Sequence, residues 1–487
     1  MDKFVIEGGR KLQGSVRVSG SKNAVLPVLA ATLLTDEPVV IPNAPDVSDV
    51  RQMLRVLEGL GSKWERSKEG VLTVRSAPVP HNEAGWDCVR KMRGSVAVLG
   101  PVLARTQHAR VSLPGGCVIG VRPVDLHVKG MKALGAKVDL DGGDIVASAT
   151  GGLRGDEMYL GGAQGPTVLG TANVMMAATL AKGRTVIHGA ACEPEVVDLG
   201  ECLNKMGARI TGLGSPRIEI EGVDKLHGCT HAVIPDRIEA GTLVIAGAMT
   251  GSKIRVEGCR PDHLMILLER MREAELPHHF GADWIETMAF DQRKKRAKPT
   301  DVTTLPHPAF PTDLQAQWMA LMTTADGMSL VTETIFTDRY MHVAELMRMG
   351  ANIRRQGASA IVMGPANLKG TQVMASDLRA SAALVLAGLV AEGTTEVHRV
   401  YHIDRGYARI EQRLAELGAS IARVDDDPDA IATDTAPAKE TITPTKPAVL
   451  PKPAATQTVP GKPAAPVAKS APARAATKKP KAKAARR

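Results

Sequence analysis

The sequence predicts an α/β protein of two domains, each made of three repeated units, followed by a C-terminal tail of different character. Three observations predict it. A helix ending of the form apolar–Gly–small recurs along the chain and runs straight into a strand-like segment. A helix of small apolar residues lies upstream in each copy. The composition changes near Val424.

The endings are Leu60-Gly61-Ser62-Lys63, Leu134-Gly135-Ala136-Lys137-Val138, Met206-Gly207-Ala208-Arg209-Ile210, Met349-Gly350-Ala351-Asn352-Ile353 and Leu417-Gly418-Ala419-Ser420-Ile421. A weaker copy lies at Ala274-Glu275, where Glu replaces Gly, so the turn there is expected to be altered without consequence for chemistry. Successive spacings are 74, 72, 68, 75 and 68 residues. The glycine closes the helix because it takes the left-handed conformation without steric cost.

The upstream helices include Asn23-Ala24-Val25-Leu26-Pro27-Val28-Leu29-Ala30-Ala31 and Ala380-Ser381-Ala382-Ala383-Leu384-Val385-Leu386-Ala387. They are apolar nearly all round, which predicts burial. Turns and strands such as Gly393-Thr394-Thr395-Glu396-Val397 follow. Each unit reads strand–helix–strand–helix–strand, and six units suggest two domains wrapped around their buried helices. A continuous solenoid is the alternative. Polar clusters drawn from both halves favour a cleft.

The tail is a separate object. Asp-Asp-Asp-Pro-Asp leads into Pro-, Ala-, Thr- and Lys-rich sequence that lacks the apolar content to order itself. From Ala438 to Arg487 there are 12 Lys/Arg and one Glu. The other residues hold 49 basic and 51 acidic groups, so the net charge of +9 belongs to the tail. The tail is either solubilising or a tether to an anionic partner such as nucleic acid or membrane lipid. The near-neutral body and its 3 % aromatic content argue against specific nucleic-acid binding. No apolar stretch reaches the roughly 20 residues of a membrane span. The start has no signal-peptide pattern. Cys88, Cys117, Cys192, Cys202, Cys229 and Cys259 are scattered without a Cys-x-x-Cys pair, which predicts no zinc site or disulfide framework and a reduced cytoplasm.

Charged residues recur at the mouths of the apolar helices: Val18-Ser19-Gly20-Ser21-Lys22-Asn23, Lys91-Met92-Arg93-Gly94-Ser95, Pro235-Asp236-Arg237-Ile238-Glu239, Pro311-Thr312-Asp313 and Ser376-Asp377-Leu378-Arg379-Ala380. A helix N-terminus with hydroxyls, free N–H groups and a lysine binds anions. Singly, each is equally a capping residue or a surface ion pair. Together they outline an anion-lined cleft. In Leu113-Pro114-Gly115-Gly116-Cys117-Val118-Ile119-Gly120-Val121-Arg122, three glycines free the backbone and an Arg stands near a thiol. Such a Cys can act as acid or nucleophile. The other five cysteines read as small buried hydrophobes.

Ser-Lys-Asn at 21–23, the Pro-Gly-Gly-Cys loop running into Arg-Pro-Val-Asp-Leu-His, Pro-His-Pro-Ala-Phe-Pro-Thr-Asp-Leu-Gln-Ala-Gln at 306–317, Ser-Asp-Leu-Arg-Ala at 376–380 and Tyr-His-Ile-Asp-Arg-Gly-Tyr at 401–407 resemble the UDP-N-acetylglucosamine 1-carboxyvinyltransferases, of the enolpyruvyl transferase family. The resemblance covers about residues 1–424. It implies an inside-out α/β barrel fold of βαβαββ-type units. It implies one domain over 22–235, a second over 1–21 and 236–424, and a tail over 425–487.

It implies transfer of the enolpyruvyl group of phosphoenolpyruvate to the 3′-hydroxyl of UDP-N-acetylglucosamine, with release of phosphate, in peptidoglycan synthesis. No metal or organic cofactor is implied. Lys22, Arg122 and Arg405 match phosphoenolpyruvate ligands, with Asn23 beside them and Arg379 in the same anion cluster. Asp313 matches the base for the sugar hydroxyl, and Asp377 a second carboxylate near the reacting carbons. Arg93, the run Arg122, Pro123, Val124, Asp125 and Leu126, and Ile335 match sugar-nucleotide contacts. Thr167 and Val168 fall where the family contacts the UDP phosphates, in a stretch where the match is looser. Cys117 matches the general acid, which also forms a covalent phosphoenolpyruvate adduct and is the target of fosfomycin. The sister enzyme, 5-enolpyruvylshikimate-3-phosphate synthase, shares fold and reaction type, but the Cys117 loop belongs to the sugar-nucleotide branch.

Overall fold

One small supersecondary unit accounts for nearly every strand of this computed structural model, which describes residues 2–113, 124–292 and 294–425. In the unit that shows it most simply, strands Glu157–Tyr159 and Arg184–His188 run parallel on either side of the helix Val168–Ala178. The helix Pro194–Lys205 follows. The hairpin strands Arg209–Thr211 and Arg217–Glu221 then close the sheet in the order first–second–fourth–third. The sheet containing His108–Ser112 and the sheet containing Gly327–Glu333 repeat this order. The sheet of Val39–Ile41 does so with Thr230 bridging Val40 in place of a first strand.

Two units borrow a strand from the start of the chain. Gln13–Arg17 supplies the first strand beside Lys253–Glu257, pairing Gln13 with Lys253. Asp2–Glu7 closes the last unit, pairing Asp2 with Asp425. The α/β class with repeated units is therefore the observed architecture.

The apolar helices sit where their composition requires. All fourteen residues of Arg237–Thr250 are buried, and so are Ala24–Ala31 of the helix Lys22–Ala31. A helix without a polar face is stable only when other elements cover it on every side. These helices centre two hydrophobic cores. One draws on residues from Ala24 to Val233, the other on Phe4–Val18 together with Ile238–Ala419.

The chain passes between the cores at two adjacent extended segments joined by an isolated bridge. Gly20 bridges Pro235, Ser21 N donates to Ile234 O at 2.7 Å, and Asp236 N donates to Ser19 O at 2.9 Å. A Cβ at Gly20 would stand 2.2 Å from the Asn43 carbonyl oxygen, so only glycine lets Asn43 pack this closely against the crossing. Arg413 secures the crossing by donating to the Arg17 carbonyl and the Ser19 hydroxyl, both at 2.6 Å. Buried Glu239 accepts from Ser19 N and pairs with Arg413. Burial pushes its carboxyl up to about 7 despite Arg413.

The helix endings take the expected left-handed turn at Gly61, Gly135, Gly207, Gly350 and Gly418. Glu275 corrects the expectation for the weaker copy. It takes the same conformation, with φ 54°, so the turn is preserved and not altered. Its carboxylate pairs with Lys295 at 3.0 Å and also with Lys298. Among the described residues no helix is long and apolar enough to cross a membrane.

Candidate active site

Four of the five helix mouths named from the sequence, those of Lys22, Asp236, Asp313 and Arg379, gather around two carboxylates. Ser21 caps the helix Lys22–Ala31 by accepting from Ala24 N, which sets Lys22 and Asn23 in its first turn. The Lys22 ammonium reaches Asp49, in the first turn of the helix Ser48–Gly59, at 3.1 Å. Arg405, at the end of the short helix Val400–Arg405, meets the same carboxylate through Nε at 3.0 Å. Burial pushes Asp49 up, but Lys22 and Arg405 outweigh it and hold the carboxyl below its usual range. The result is an anion clasped by one cation from each core.

Asp313 lies in the turn Thr312–Leu314 that opens the buried helix Gln315–Met322. Arg339 Nη1 meets its Oδ1 at 2.8 Å, and Arg379 Nη2 meets its Oδ2 at 2.9 Å. Asn23 donates to Oδ2 at 3.3 Å, which brings the first helix of the other core onto this group. Burial opposes ionisation of Asp313. The charges of Arg379, Arg339 and Lys22 overcome it and hold the carboxyl well below the carboxylate range. Conversely, Asp313 keeps the fully buried Arg379 guanidinium above its ordinary value against desolvation.

Arg379 is fixed from behind as well. It lies over the Tyr407 ring at 5.4 Å, and the Tyr407 hydroxyl is held by Thr242 and Gln317 at 2.9 and 3.3 Å. Arg379 Nη1 and Arg339 Nε are buried without a hydrogen-bond partner among the described residues. Buried guanidinium donors left open in this way suit a second, incoming carboxylate.

Asp377 and Asp236 are N-caps. Asp377 Oδ1 accepts from Arg379 N and Ala380 N, and Asp236 Oδ1 accepts from Ile238 N and Glu239 N. The second oxygen of Asp236 accepts from Lys22 N at 3.1 Å, so this cap also anchors the neighbouring helix mouth. Ile335 adjoins the Asp313 cluster through Glu333, which accepts from Ile335 N and from the Thr312 hydroxyl.

The remaining named residues that are described belong to elements of the first core. Arg93 opens the short helix Arg93–Val98 and acts electrostatically on buried His127, as does Asp125. Val124 precedes, and Asp125 and Leu126 begin, the helix Asp125–Ala133. Thr167 caps the helix Val168–Ala178 by accepting from Gly170 N, with Val168 exposed beside it. His307 N donates to Glu193 Oε1 at 3.3 Å and ties the two cores together. Cys117, Arg122 and Pro123 lie outside the described residues.

Two participants escaped the sequence reading. Asp49, in Val47-Ser48-Asp49-Val50, looks like any acidic residue in a helix first turn. Arg339 lies just before the N-cap of the helix Met341–Arg348, which is only partly buried and is not one of the apolar helices whose mouths the repeat marked, so the repeat gave no signal for it.

The chain's residues 6–414 match the family model described as EPSP synthase (3-phosphoshikimate 1-carboxyvinyltransferase). The chain is 51% identical over 424 residues to the UDP-N-acetylglucosamine 1-carboxyvinyltransferase of Coxiella burnetii, covering 87% of this chain and 96% of that protein. It is 51% identical over 429 residues to the protein of the same name from Akkermansia muciniphila, covering 88% and 100%. Among solved structures it is similar to the enolpyruvyl transferase NikO from Streptomyces tendae, with TM-score 0.78, 25% identity and coverage of 87% and 99%. It shares its fold with the EPSP synthase of Acinetobacter baumannii, with TM-score 0.67, 16% identity and coverage of 87% and 100%.

Proposed function

Because this chain belongs to the EPSP synthase family of enolpyruvyl transferases, we propose that it carries the enolpyruvyl group of phosphoenolpyruvate to the 3′-hydroxyl of UDP-N-acetylglucosamine and releases phosphate, a step of peptidoglycan precursor synthesis. The observation that carries the chemistry is the Asp313 cluster: an ionised carboxylate between two guanidinium groups that keep open, buried donors. The acceptor is supported by the 51% identity to two sugar-nucleotide enzymes over nearly the whole folded part of the chain. We assign the two cores to a domain of residues 22–235 and a domain of residues 1–21 with 236–424, and the enzyme to the cytoplasm.

In this reading Lys22, Arg122 and Arg405 take the phosphate, and Arg339 and Arg379 take the carboxylate of phosphoenolpyruvate. Cationic forks suit these groups because planar oxyanions accept two parallel hydrogen bonds. Cys117 protonates C3, which makes C2 electrophilic. The sugar hydroxyl attacks C2 as Asp313 removes its proton. The tetrahedral adduct then loses the C3 proton and phosphate, which restores the double bond. Arg93, Val124, Asp125, Leu126, Thr167, Val168 and Ile335 hold the sugar nucleotide, and Asp377 stands behind the reacting carbons.

A carboxylate held as low as Asp313 is a weak base while both arginines face it. An arriving substrate carboxylate shares those guanidinium groups and weakens their hold, which raises the basicity of Asp313 when base is needed. The test is phosphate release from phosphoenolpyruvate with UDP-N-acetylglucosamine in one reaction and shikimate 3-phosphate in another. Release with the sugar nucleotide alone is expected. Release with shikimate 3-phosphate alone would assign the chain to the sister reaction, and release with neither would remove the enzymatic reading.

A further inference from the structure

Outside the cleft, the helix Pro194–Lys205 lies against the segment His227–Ile234, and the two are stitched at points on either side of two cysteines. His227 N donates to Met206 O at 2.8 Å. His231 is gripped from both ends of its ring: Lys205 Nζ lies 3.1 Å from Nδ1, and Asp198 Oδ1 lies 3.1 Å from Nε2. Asp198 Oδ1 also accepts from Ile234 N at 3.3 Å.

Cys202 sits on the helix between Asp198 and Lys205, and Cys229 sits on the segment between His227 and His231. Asp198, Cys202 and Lys205 follow one another at helical spacing and Cys229 is two residues from His231, so the stitches bring the two cysteines to the same seam, where Cys229 packs against the core that holds Cys202. Cys202 is fully buried, whereas Cys229 is partly open to solvent. A buried thiol beside a more accessible one that has a lysine and a histidine nearby is the arrangement of a resolving and an attacking cysteine.

We propose that Cys229 and Cys202 form an oxidant-sensitive modification site that a hydroperoxide closes to a disulfide. The neighbouring Cys202 thiol, together with the electrostatics of His231 and Lys205, pulls the Cys229 thiol down to about 7 against burial. Its thiolate attacks one peroxide oxygen. The S–O bond forms, the O–O bond breaks, and hydroxide leaves. The Cys202 sulfur then attacks the sulfenic sulfur. The S–S bond forms, the S–O bond breaks, and the thiol proton leaves with the hydroxyl as water. The two sulfurs lose two electrons and the peroxide gains them. The bond would clamp the helix Pro194–Lys205 to the segment that leads into the crossing at Pro235.

The experiment exposes the reduced full-length chain to hydrogen peroxide and maps the unreduced digest by mass spectrometry. A Cys202–Cys229 cross-linked peptide that a dithiol reductant removes is expected. Cys202→Ser is expected to leave Cys229 as a sulfenic acid captured by dimedone, while Cys229→Ser leaves Cys202 unoxidised. Full alkylation of both cysteines after peroxide treatment, with oxidation confined to other thiols, would overturn the proposal. The wild-type map decides by itself if either variant fails to fold.

Discussion

Two carboxylates in the cleft are each flanked by two cations, but the cations come from different places. Asp49 takes Lys22 from its own core and Arg405 from the other. Asp313 takes both of its ion-pair partners, Arg339 and Arg379, from its own core, and the other core contributes the amide of Asn23 and the more distant charge of Lys22. The Arg405–Asp49 pair therefore depends on the alignment of the cores, whereas both ion pairs of Asp313 lie within one core. A catalytic group works best when folding has already fixed it, because its orientation then adds nothing to the barrier at the transition state. A cross-core ion pair suits a site that must exchange its own carboxylate for a substrate phosphate.

The largest effect that sharpens this contrast is at Asp313. Asp313→Asn keeps the shape and removes the base, so kcat should fall about 1,000-fold, read by phosphate release. Arg339→Lys keeps the charge and loses the fork. KM for phosphoenolpyruvate should rise about 10- to 100-fold in steady-state kinetics, the worth of one charge-assisted hydrogen bond. An unchanged KM would break the assignment of Arg339 to the substrate carboxylate.

Gly20→Ala acts on the alignment of the cores. Its Cβ would press on the Asn43 carbonyl, so thermal unfolding should show a loss of about 1–3 kcal/mol. The variant should impair phosphate binding more than the Asp313 cluster, and an equal loss at both sites would dissolve the contrast.

Acid stability separates the sites next. Asp49 is depressed in the folded chain, so its contribution is present above the unfolded value of about 3.9 and is lost as pH falls through the folded one. Asp49→Asn should flatten the acid limb of unfolding temperature against pH. Glu239 works in the opposite sense. Its folded value is raised, so stability is full below the unfolded value of about 4.3 and declines as pH rises through about 7. Glu239→Gln should remove that decline. The smallest effect is expected for Glu275→Gly, which relieves a left-handed glutamate far from the cleft and should raise the unfolding temperature slightly with no change in kcat.

The sequence revealed what repeats and what is rare. Gly61, Gly135, Gly207, Gly350 and Gly418 announced the units because a helix end that reverses into a strand needs a left-handed residue. Lys22, Asp313, Asp377 and Arg379 were legible because a charge at the mouth of an apolar helix is unusual. Asp49 and Arg339 were not. Each looks ordinary in its local sequence, and each matters only through partners hundreds or tens of residues away. Glu275 shows the converse: local sequence said the turn was lost, while the packed unit around it imposes the left-handed conformation anyway.

The most direct measurement of whether Asp313 is the base is single-turnover phosphate release by Asp313→Asn with both substrates saturating, set beside calorimetric binding of UDP-N-acetylglucosamine. Near-normal binding with release abolished is the expected result. Release at close to the wild-type rate would contradict that role and remove Asp313 from the chemistry.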